Sequence, residues 1–103
     1  MLQSPDYEPE FYEKQVLMMK DRFAKAFKKL KLPWKTYIKD VEKRLRGRTY
    51  WLWNYLVGLE SFIQPHQKTG LAPSKEALEK DKDSRISRIV GDFYKVEQYV
   101  KGL

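Results

Sequence analysis

The sequence predicts an all-α protein, a four- to five-helix bundle whose neighbouring helices are mostly antiparallel. Two observations carry this. Apolar residues recur at steps of three and four along most of the chain, and no stretch shows the sustained alternation of a strand. With 103 residues, 42% of them hydrophobic and 15% aromatic, the chain can build one core and is too short for two. It reads as a single helical domain over 1–103, with residues 1–8 an extended or disordered lead-in.

The first helix is expected from Pro9 to Lys31, where Tyr12, Val16, Met19, Phe23, Phe27 and Leu30 form one stripe. Pro9 suits a first turn, Glu10 and Glu13 suit the positive end of the helix dipole, and Pro33 stops the run. The second is expected from Trp34 to Arg46, on Trp34, Ile38, Val41 and Leu45, with Gly47 ending it. The third starts at Thr49 as N-cap. It carries Leu52, Tyr55, Leu56, Leu59, Phe62 and Ile63 on one face and Tyr50, Trp53 and Val57 on another, and Pro65 closes it. So much apolar surface on one helix implies a central position and a surplus left for a protein partner. Residues 65–73 read as the longest loop. Ser74 then caps a helical stretch, and Ile86, Ile89, Val90, Phe93, Val96 and Val100 continue the pattern to Gly102. Whether one helix or two cover this last part is open, because the charged run from Glu79 to Asp83 offers Ser84 as a second cap.

No cysteine is present, which removes disulfides and thiolate metal sites. No stretch is long and apolar enough for a membrane span, and the reading is of a cytoplasmic protein. Catalysis has little support. The one histidine, His66, lies in the expected loop with no second histidine to share a metal, and no phosphate-cradling or nucleophile motif occurs. The expectation is therefore a non-enzyme with no cofactor, no metal and no catalytic residue.

Charge is the informative feature. The net charge is +7, yet residues 14–48 alone hold thirteen Lys or Arg against Asp21, Asp40 and Glu42, while residues 1–13 hold four acids and no base. Lys35, Lys39, Lys43 and Arg46 fall at steps of four, four and three, a row opposite the apolar face and about 16 Å long at 1.5 Å per residue. Arg44 and Arg48 flank it. Lys14, Arg22, Lys25 and Lys29 make a looser stripe on the first helix, extended by Lys28 and Lys31. Such a row fits contact with the phosphates of RNA or single-stranded DNA, by charge and without base readout. A plain solvated helix face would mix in more acids.

The size, the helical bundle, the segregated basic face and the surplus apolar surface together resemble the small subunit of CRISPR effector complexes of the Cascade type. That resemblance implies a ribonucleoprotein subunit in antiviral defence, in which Lys25, Lys28, Lys29, Lys35, Lys39, Lys43, Arg46 and Arg48 touch guide RNA or displaced DNA. Apolar side chains would then pack on other subunits or further copies of the chain. The competing reading is a helical adaptor or inhibitor that docks on an acidic protein.

Overall fold

A computed structural model describes residues 9–102, and the expected lead-in over 1–8 lies outside them. Over the described residues the fold is an all-α bundle of four helices: α1 (Pro9–Lys29), α2 (Trp34–Arg44), α3 (Thr49–Thr69) and α4 (Lys75–Gly102). α3 packs against α1 and α4, and α2 closes the other side by packing on the same two helices. Consecutive helices are antiparallel. Cross-links at matching heights show that α1 runs parallel to α3, through Tyr12–Tyr50 and Arg22–Glu60, and α2 runs parallel to α4, through Asp40–Lys82 and Arg44–Asp83.

The α1 stripe is buried as expected: Val16, Met19, Phe23, Phe27 and Leu30 join Tyr37, Ile38, Val41 and Leu45 of the α2 segment in one core with α3 and α4. Phe27 is fully buried, its ring 4.9 Å from both Trp34 and Tyr37. Both α1 and α2 end in Schellman turns. The Leu32 amide bonds the Phe27 carbonyl and the Lys31 amide that of Lys28, while Gly47 bonds Glu42 and Arg46 bonds Lys43. The left-handed position is taken by Lys31 (φ 59°) in one and Arg46 (φ 57°) in the other, which costs about 1 kcal/mol each compared with glycine. α2 therefore stops at Arg44, two residues before its expected end, and Arg46 stands in the turn.

Three expectations on the second half are corrected. α3 does not close at Pro65 but runs to Thr69, and Gly70 (φ 74°) provides the left-handed cap, its amide bonding the His66 carbonyl. Pro65 forgoes one amide bond close to the helix end, where only one turn remains to be disturbed. The loop is thus short, reaching from Gly70 to Ser74, and the His66 ring braces it by donating from Nδ1 to the Leu71 carbonyl at 2.8 Å. Thr49 is not the cap of α3; Arg48 holds that position, and its side chain does not cap the helix. Ser74 does cap α4, its Oγ accepting from the Ala77 amide at 3.1 Å. α4 continues unbroken through the charged run, which the ion pairs Lys82–Glu79 and Arg85–Asp81 stabilise along the helix.

The apolar surplus expected on α3 is mostly absorbed. Trp51, Leu52, Tyr55, Leu56, Leu59 and Ile63 are buried, Tyr50, Trp53 and Phe62 pack on the core, and Val57 alone of the group is exposed. The large apolar side chains that do remain exposed stand on α1 (Phe11, Leu17, Met18), in the α3–α4 loop (Leu71) and near the end of α4 (Tyr94, Val96, Tyr99). Gly58 explains how α3 and α4 approach: the Arg85 guanidinium lies where a side chain at 58 would be.

The Tyr37 and Tyr55 hydroxyls hydrogen-bond to one another in the core. Burial pushes both phenols above the ordinary value of 10.0. Lys82, whose ammonium sits over the Tyr37 ring, is pulled down by burial but raised on balance by its bonds to Asp40 and Glu79. All three folded values are raised, so their contribution is complete below about pH 10 and is lost as pH climbs beyond it. Stability should accordingly fall steeply above pH 10. Absorbance of the two core phenolates should appear only together with loss of the helical circular dichroism signal. Ionisation of all the tyrosines with the helices intact would contradict this packing.

Candidate nucleic-acid interface

α2 sorts its charges by direction. On one flank Glu42 reaches α1 and pairs with Lys20 at 3.2 Å. On the other flank Asp40 pairs with Lys82 of α4 at 2.9 Å, and Arg44 pairs with Asp83 at 2.5 Å and approaches Asp40 at 3.9 Å. The hydrogen bond from Lys82 holds the Asp40 carboxyl below its usual range against the effect of burial, and the bond to Asp83 raises the Arg44 guanidinium further. Both acids of α2 are therefore engaged sideways, within the bundle.

Between those flanks Lys35, Lys39 and Lys43 are exposed, spaced by single helical turns over about 12 Å. Exposed Arg46 follows in the turn. Lys28 and Lys29 are exposed at the end of α1, close in sequence to Lys35 across the α1–α2 corner. Among the described residues none of these six meets a carboxylate at ion-pairing distance, whereas Lys20, Arg22, Lys25, Arg44, Lys82 and Arg85 all do. Strung along α2 and at the end of α1 with no carboxylate at pairing distance among the described residues, these cations attract a polyanion.

Three of the expected contact residues are placed differently. Lys25 pairs with Asp21 along α1 at 3.2 Å, largely in solvent, a weak tie that a phosphate can displace. Arg44 is turned toward α4 and held there by Asp83. The Arg48 guanidinium lies over the Trp51 ring, 4.5 Å from its centre. The sequence alone marks each as a cation near the row; Lys25 and Arg48 meet partners three or four residues away, whereas the partner of Arg44 lies on α4, far away in the chain.

The tryptophans are engaged inside the protein. Trp34 stacks on Phe23 and Tyr37, Trp51 on Phe93, and Trp53 on Tyr50. The expected row therefore carries charge without a tryptophan platform. A shallow cavity of about 570 Å³ opens beside its far end, bounded by Arg44, Ile86, Ser87, Val90, Gly91 and Tyr94. Another, of about 600 Å³, lies between the starts of α2 and α4 next to Lys82. Among the described residues no helix is long and apolar enough to cross a membrane. No protein-family model, curated protein or solved structure matches the chain.

Proposed function

We propose that the chain is a non-catalytic subunit that holds a nucleic-acid backbone by charge, with Lys35, Lys39, Lys43 and Arg46 as the main contacts and Lys28 and Lys29 extending them round the corner. The observation that carries this is the unpaired row between two ion-paired flanks. A helix face serving only solubility would share its acids with its bases, and here the acids of α2 are drawn away to α1 and α4. Lysine dominates the row and offers a point charge, which suits phosphate and not base edges. In this reading Arg44 and Arg48 order the scaffold, and Lys25 is a peripheral contact. The larger assembly is a ribonucleoprotein of the kind formed by Cascade-type CRISPR effectors, with other subunits seated on the exposed apolar residues of α1 and α4.

Labelled oligonucleotides of unrelated sequence test the proposal. Fluorescence anisotropy should give dissociation constants on the order of 10⁻⁶ to 10⁻⁴ M at physiological salt, alike for all sequences. A preference for one sequence by a hundredfold would mean base readout and would overturn it.

One observation favours the second reading, an adaptor for an acidic protein. Phe11, Leu17 and Met18 are 50%, 66% and 66% exposed on the outer side of α1, interleaved with Lys14 and Arg22. A mixed apolar and basic face of this kind fits a protein partner better than a bare phosphate chain.

A further inference from the structure

The cavity at the end of the row has two features that the bundle itself does not require, and a third that the bundle holds in place. Tyr94 is 58% exposed, and among the described residues it meets no other ring. Gly91 occupies the middle of a helix, where glycine weakens the structure, yet a side chain there would meet nothing within 4 Å. The helix accepts a glycine that no packing neighbour demands, and its effect is to leave the cavity open. The third feature is Arg44, whose guanidinium is fixed by Asp83 and Asp40 at the cavity wall and follows directly on Lys43 of the row.

We infer that this cavity is a subsite for one unpaired nucleobase of the strand whose phosphates the row holds, with Tyr94 as the stacking ring. This rests on the backbone-binding reading above. The chemistry fits a base and not a phosphate. Ile86 and Val90 supply an apolar floor, the Tyr94 ring offers an aromatic face, and the planar guanidinium of Arg44 offers a second flat surface, with the Ser87 hydroxyl for a polar edge. Arg44 already has its carboxylates, so it presents a plane more than an unspent charge. The subsite makes the ligand a single strand, because a duplex keeps its bases stacked out of reach. Stacking of this type tolerates any base, which agrees with binding that ignores sequence.

The test compares a twelve-residue thymidine oligonucleotide with a strand of equal length built wholly from abasic sites, which keeps the phosphates and lacks the bases. The native chain should bind the thymidine strand roughly five- to a hundredfold more tightly, the range of one stacked base. Tyr94→Ala and Gly91→Leu should each abolish that difference while leaving abasic-strand affinity unchanged, and Tyr94→Phe should retain it. Gly91→Leu is the safer variant, since it improves helix propensity and fills only the open space. Equal affinity of the native chain for the two strands would overturn the base subsite and leave the phosphate row standing. Retention of the difference in both Tyr94→Ala and Gly91→Leu would place the base elsewhere and overturn it equally. Absence of binding to either strand would remove the row and the subsite together.

Discussion

Replacing Phe27 with alanine should destabilise the protein by about 3–5 kcal/mol, the usual range for deleting a fully buried phenylalanine. Phe27 has no exposed surface, and its ring sits where α1 turns into α2, in contact range of Trp34 and Tyr37. Its carbonyl also receives the Leu32 amide that closes the Schellman turn. The cavity left behind cannot easily collapse, because neighbouring rings are held by one another and by the Tyr37–Tyr55 bond. Small domains have only about 5–15 kcal/mol in total, so the loss should be visible as a large drop in the urea midpoint. Phe27→Leu should cost much less. An alanine variant with an unchanged midpoint would show that this corner is loosely packed, and the alignment of α2 would need another cause.

The largest functional effect is expected from reversing charge in the row. Lys39→Glu with Lys43→Glu should weaken binding to every sequence by at least about tenfold. The slope of log affinity against log salt should also fall, by roughly 0.7 for each single-strand phosphate that the protein no longer neutralises. Both side chains are exposed and, among the described residues, unpaired, so the fold should survive their change. The control is Lys68→Glu with Lys80→Glu, which alters net charge equally at exposed positions on α3 and α4. Little effect there would show that the position of the charge matters. Equal losses from both pairs would reduce the row to a contributor to the overall field.

The α1 stripe, the all-helical class and the Ser74 cap are legible in the sequence because each rests on local spacing or local hydrogen bonding. The features that differ from expectation depend on competition between signals. Pro65 and Gly70 both signal a stop to α3, and the glycine wins: a proline one turn from a helix end costs little, and a glycine in the left-handed region closes the helix outright. Gly47 is the residue suited to the left-handed position after α2, yet Arg46 takes that conformation as well, despite its Cβ. The continuity of α4 rests partly on pairs along the helix, Lys82–Glu79 and Arg85–Asp81, and partly on Arg44 and Asp40 of another helix, which the spacing of the charged run does not show. The lysine row itself is visible as spacing. Its lack of carboxylate partners is not, since that depends on where Glu42, Asp40, Glu79 and Asp83 point. The Tyr94 cavity leaves only a faint signal in the sequence, an isolated glycine inside a helical pattern.

The central claim is that nucleic acid touches the protein along the row, and nuclear magnetic resonance of the ¹⁵N-labelled 12.4 kDa chain reads that directly. Titration with the thymidine oligonucleotide should shift the amides of residues 28–46 and of the α4 segment around Gly91 and Tyr94, with Phe11, Leu17 and Met18 unmoved. Shifts confined to the outer side of α1, or no shifts at concentrations well above 10⁻⁴ M, roughly the weak end of non-specific binding, would contradict it.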